Sequence, residues 1–133
     1  MSEAQNTKLV QDAYAAFGRG DIAALLNTFA DDIAWRPVIG TAAHVPFSGE
    51  RRGKAGAAEF FKIVGDTETF DQFEPREFVA QGETVVAIGH YRATAKATGR
   101  TFDSDFVMIF GVKNGKIATF REYTDTAAVN AAF

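Results

Sequence analysis

A chain of 133 residues that is 47% hydrophobic and 23% charged has the size and balance of one folded globular domain spanning 1–133, which excludes a disordered chain. Its formal net charge of −3 leaves no basic footprint for nucleic acid or an anionic membrane surface, and the absence of cysteine excludes disulfides, thiol nucleophiles and cysteine-bound metal. No apolar stretch approaches the ~20 residues of a membrane-spanning helix, and "MSEAQNTKL" lacks a basic region leading into an apolar run, so a cytoplasmic protein with neither membrane nor nucleic acid as partner is expected.

Along the chain, Val10, Tyr14 and Phe17, with Leu9 and Ala13 beside them, follow the spacing of an amphipathic helix, and "GRGD" at Gly18 to Asp21 supplies its stop. Asp21 then reads as the N-cap of a second helix with Ile22, Leu25, Leu26 and Phe29 on its apolar face. "DDIAWRPVIG" gives a short strand broken at Pro37, and a long loop containing "HVPFSGERRG" follows. A third helix carries Ala57, Phe60, Phe61 and Val64 on one side.

From Phe70 the pattern changes to strands, with turn signals at Gln81-Gly82, Thr98-Gly99 and Asn114-Gly115, and "DTAAVNAAF" closes the chain as a short helix capped by Asp125 or Thr126. Helices first and antiparallel strands second make an α+β domain. Thirteen phenylalanines on candidate strands and helix faces imply a large apolar interior with a cavity.

Alternation in the strand from Thr101 puts Phe102, Ser104, Phe106, Met108 and Phe110 on one face and Asp103, Asp105, Val107 and Ile109 on the other. In the last strand Phe120 shares a face with Glu122, and pairing through the Asn114-Gly115 turn aligns that face with Phe106, Met108 and Phe110. A carboxylate on an aromatic face is the unusual feature of the sequence.

The order of elements, together with "GDIAALLNTFADDIAW", "GRTFDSDF" and "GKIATFREYTDT", resembles the SnoaL-like branch of the nuclear transport factor 2-like superfamily over nearly the whole chain. The resemblance implies a cystatin-like cone: a curved antiparallel sheet wrapped around about three helices, enclosing an apolar pocket, often dimeric through its sheet. It also implies a cofactor-independent protein whose relatives include ketosteroid isomerases, polyketide cyclases, limonene epoxide hydrolases, dehydratases and pure binding modules, so the fold leaves the chemistry open. The isomerase base falls at Pro37 and its oxyanion-hole aspartate at Met108, which disfavours steroid isomerisation. The hydrolase Arg-x-Asp pair would lie near Tyr91 and Ala93 and is missing, whereas the last-strand aspartate of hydrolases and cyclases corresponds to Glu122.

Glu122 is therefore the leading acid/base candidate, since burial would raise its pKa toward neutrality; its plainer alternative is a solvent-facing glutamate or one paired with Arg92 or Arg121. Tyr14, Asp32 and His90 are the candidate proton partners, and His44 in the long loop is available at the cavity mouth. Trp35, Phe60, Phe106, Met108, Phe110 and Phe120 are the expected ligand-binding residues. The histidines lack metal-ligand spacing, so no metal is expected. The ligand expected is a small apolar organic molecule handled by an isomerase, cyclase, hydrolase or dehydratase type of reaction; the alternative is a non-catalytic ligand-binding or dimerisation module.

Overall fold

Helix α1 (Glu3–Gly18) begins where two side chains cap one another: Ser2 Oγ accepts the Gln5 backbone N–H at 3.1 Å, and Gln5 Oε1 accepts that of Ser2 at 2.8 Å. Two N–H groups that a helix start leaves orphaned are thereby satisfied. In this computed structural model, which describes residues 2–133, Gly20 (φ +72°) turns the chain into α2 (Ile22–Asn27), whose N-cap Asp21 accepts the Ala24 N–H at 3.0 Å. Strand β1 (Phe29–Arg36), a loop over 37–50, the two-residue β2 (Arg51–Arg52) and α3 (Gly53–Thr67) follow. The meander β3 (Glu68–Gln81), β4 (Thr84–Ala95), β5 (Thr101–Lys113) and β6 (Lys116–Thr124) then leads to α4 (Thr126–Ala132), capped by Asp125.

The strands form one sheet in the order β2-β1-β6-β5-β4-β3. Its pairings are antiparallel except β1 with β6, which run parallel, so the sheet is mixed where the sequence implied an antiparallel one. The physical reason is topological: α3 carries the chain across the sheet to its far edge, and four meandering strands bring it back beside β1 in the same direction. Register shifts at Phe70/Gln72 and Pro75/Glu77 in β3 and at Gly111/Val112 in β5 bend the sheet into an unclosed cone, since bulges add local twist. Pro75 is tolerated because β3 is an edge strand. No described helix is long and apolar enough to cross a membrane.

The sheet's register follows from alternation and one turn. Asn114 (φ +52°) and Gly115 (φ +75°) both take left-handed conformations, as the tight β5–β6 hairpin demands. The turn sets Met108 opposite Glu122 and Phe110 opposite Phe120. Phe102, Ser104, Phe106, Met108 and Phe110 are all buried on the concave face, and the four apolar ones share one core cluster with Val10, Ala13 and Ala16 of α1 and Ala57, Phe60 and Val64 of α3.

Gly89 of β4 lies opposite Phe106, whose ring folds across the space a side chain would fill. A Cβ there would lie 2.5 Å from Phe106 Cζ and collide with the Glu74 carbonyl oxygen. Gly89→Ala is therefore expected to lower stability in urea unfolding by about 1–3 kcal/mol, the usual range for overpacking. Gly65→Ala in α3, where a Cβ meets nothing within 4 Å, should be neutral or stabilising by up to about 1 kcal/mol. Equal tolerance at the two positions would contradict the close approach at Gly89.

Candidate active site

The cone encloses a cavity of about 80 Å³ walled by aromatic rings, among them Phe29, Trp35, Phe60, Phe110 and Phe120. Trp35 of β1 stacks on Phe120 of the neighbouring β6, with centroids 3.8 Å apart and planes 11° from parallel. The polar side chains lining this cavity are Tyr14, Glu68, Tyr91 and Glu122; Trp35 lines it too, and its buried indole N–H has no hydrogen-bond partner among the described residues.

Glu122 is only 4% exposed, and Tyr91 Oη donates to its Oε2 at 2.7 Å. Burial pushes its pKa up to about 7, because a charge removed from water is disfavoured; the hydrogen bonds from Tyr91 and the Val38 backbone N–H limit the rise. The Ile39 N–H also donates to the Glu122 carbonyl at 2.9 Å. The segment after Pro37 is thus tied to the main chain of this glutamate. Val38 in this segment takes φ +40°, a left-handed conformation that costs a β-branched residue about 1–3 kcal/mol and persists where the surroundings overdetermine it.

Glu68 is the second carboxyl of the cavity. It sits where α3 hands over to β3 and is 6% exposed; its Oε2 has no hydrogen-bond partner among the described residues. Burial raises its pKa to about 8, and the charge of Glu122 adds to the rise. Burial and the Glu122 charge likewise push both the Tyr91 and Tyr14 phenols well above their ordinary range, so each stays a protonated donor.

Of the residues expected from sequence, Glu122, Tyr14, Trp35, Phe60, Met108, Phe110 and Phe120 all line the cavity. Tyr14 does not bond Glu122: its hydroxyl meets the Met108 sulfur at 2.9 Å. Phe106 is a correction, being buried but folded over Gly89 behind the wall, where it stacks on Tyr91 with centroids 5.2 Å apart. Asp32 is a second correction. Ile33 and Trp35 turn inward, so alternation sends Asp32 to solvent.

His90 is the third correction. Its neighbour Tyr91 points inward, which puts His90 on the convex face, where Nδ1 lies 2.8 Å from Asp105 and Nε2 meets Asp103. The Asp105 hydrogen bond is the main cause that raises its pKa, with Asp103 adding to it. His44 is exposed, and its Nε2 lies 2.9 Å from the Asn130 carbonyl of α4, while Val45 and Phe47 of the same loop are buried.

Sequence reasoning missed Tyr91 and Glu68. Inward parity with Ala93 could have found Tyr91 once the β4–β5 register was drawn. Glu68 precedes the point at which the strand was expected to begin, so no alternation placed it.

A curved, unclosed mixed sheet wrapped around helices is the architecture of the nuclear transport factor 2-like α+β cones. A profile of the SnoaL-like domain matches residues 10–120, and the chain belongs to that family. A nuclear transport factor 2-like protein of Burkholderia xenovorans superposes with a TM-score of 0.88 at 38% identity, over 99% of this chain and 98% of that one. A candidate polyketide cyclase of Xanthomonas campestris pv. campestris gives 0.80 at 25% identity, over 98% and 97%. TerC, co-crystallised with polyporic acid, gives 0.79 at 26% identity, over 96% and 97%. No curated protein matches the chain significantly.

The two buried carboxyls make stability fall with pH. Their folded values of about 7 and about 8 lie above the ordinary 4.5, so between 4.5 and about 8 the folded state holds more protons than the unfolded. Their contribution is most favourable below pH 4.5 and is lost as pH rises through the folded values. His90, also raised, acts in the same direction, so variants are needed to isolate the glutamates. Urea unfolding at pH 5 and 8.5 should show a smaller drop for Glu122→Gln and Glu68→Gln than for the native chain. An unchanged drop in both variants would mean that neither carboxyl is buried as described.

Proposed function

We propose that the chain binds and transforms a small, mostly apolar organic compound by carboxylate acid/base chemistry in this cavity, without a cofactor, Glu122 moving the proton. The observation that carries the reading is a buried carboxyl poised at about 7 and held at 2.7 Å by a phenol that stays protonated. A general acid/base works best with a pKa near the operating pH. The ionised Glu122 accepts a proton from substrate carbon or oxygen, and the Tyr91 O–H keeps the carboxyl oriented through the transfer. The protonated carboxyl then returns the proton at a second position, as isomerisation, cyclisation, hydrolysis and dehydration all need. The likeness to a candidate polyketide cyclase and to a protein crystallised with polyporic acid supports an organic ligand.

A second reading, a non-catalytic binding module, is favoured by the cavity's size: about 80 Å³ is well below the ~300–1,000 Å³ of ordinary small-molecule sites. Under either reading a substrate of more than a few heavy atoms enters by displacing wall side chains. Both also include a homodimer through the convex sheet face, where the half-exposed Val86, Ile88, Val107 and Ile109 lie together. Sedimentation should give a dimer at micromolar concentration; a monomer would contradict this part of the reading.

The test is a panel of fragment-sized ketones, epoxides and phenols offered to the native chain and to Glu122→Gln, which keeps the shape and hydrogen bonding. At least one compound should bind both proteins, with turnover in the variant lower by about 10²–10⁴-fold, the usual contribution of general acid–base catalysis. Turnover indifferent to Glu122→Gln would overturn the acid/base reading. Binding without turnover in the native chain would select the module.

A further inference from the structure

Three buried side-chain atoms lack a hydrogen-bond partner among the described residues: Asn6 Oδ1, Trp35 Nε1 and Glu68 Oε2. Asn6 lies away from the cavity and still donates to the Gly82 carbonyl through Nδ2 at 3.3 Å. The other two belong to side chains that line the same cavity, 4% and 6% exposed. Buried polar groups are nearly always paired, and leaving one unpaired is costly, so two orphans on side chains that line one small apolar hollow each call for a partner there.

We propose that Trp35 and Glu68 are the specificity-determining polar contacts of this cavity, and that they select a neutral aromatic ring bearing two oxygen substituents. One oxygen accepts from the indole N–H; the other exchanges a hydrogen bond with the Glu68 carboxyl. The indole nitrogen is a donor only, so its partner must offer a lone pair, which an ammonium group lacks. With its pKa at about 8, Glu68 is mostly the neutral acid near pH 7, able both to donate and to accept; it therefore does not require a cation, while Glu122 in the same cavity opposes an anion. The walls are flat rings, including the stacked Trp35–Phe120 pair, and a planar ring is the shape that enters this small cavity with the least displacement of them.

The inference rests on the proposed function only in taking this cavity as the ligand site, and it requires no turnover. The chain has a single tryptophan, so its indole N–H gives one assignable ¹H–¹⁵N resonance. Resorcinol and hydroquinone are titrated against m-xylene and p-xylene, which share their shapes but offer no hydrogen bonds. At least one dihydroxy compound should move the indole proton downfield and bind roughly tenfold tighter than its xylene counterpart, as two net hydrogen bonds would give. Glu68→Leu should cut that preference to below about threefold while xylene binds as well or better, and Glu68→Gln, which retains donor and acceptor, should keep it.

Equal binding of diols and xylenes, diol binding with the indole resonance unmoved, no binding by any probe, or tighter binding of benzylamine would each overturn the proposal. The two readings fail separately. Xylenes binding as well as the diols while turnover still depends on Glu122 sinks this inference alone; turnover indifferent to Glu122→Gln, with the diol preference intact, sinks only the acid/base role.

Discussion

The site depends on one interaction, the hydrogen bond from the Tyr91 hydroxyl to the Glu122 carboxyl inside an aromatic shell. An ionised carboxylate removed from water without partners would be prohibitively costly, and one held protonated throughout could not accept a proton near neutrality. Tyr91 and the Val38 N–H stabilise the charge enough to hold the group between those limits. The arrangement needs β4, β6 and the segment after β1 in one register, because each supplies one member.

The fold supplies that register by unequal means. The β5–β6 hairpin fixes Met108 against Glu122 through a two-residue turn, a local device. The parallel pairing of β1 with β6 is non-local and is closed by main-chain bonds, among them Ile39 N–H to the Glu122 carbonyl. The strained Val38 sits at that closure, next to the residue that binds the Glu122 carbonyl. Glu68 and Glu122 share the cavity, so ionising one makes ionising the other harder.

Much of this was legible in the sequence because strand alternation is a strong, local signal. Phe102, Met108, Phe110, Phe120 and Glu122 share the concave face as their spacing requires, and Asp21 and Asp125 cap helices as their positions suggest. What alternation could not supply is depth. Phe106 has the right parity, yet its ring lies flat because Gly89 leaves it room, a fact belonging to another strand. Asp32 and His90 were drawn into the site by their chemistry, whereas their inward neighbours Ile33, Trp35 and Tyr91 decide that they face out. Glu68 falls on a helix–strand junction where neither period applies, and the comparison with hydrolases marks Tyr91 only as the place of a missing arginine, not by the hydroxyl it brings.

The most direct test of the account is the titration of the Glu122 side-chain carboxyl by ¹³C NMR, its resonance assigned by loss in Glu122→Gln. The midpoint should lie at about 7 and move higher still in Tyr91→Phe, where the ionised form loses a donor. A midpoint near ~4.3, the value of an exposed glutamate, unchanged in Tyr91→Phe, would contradict it.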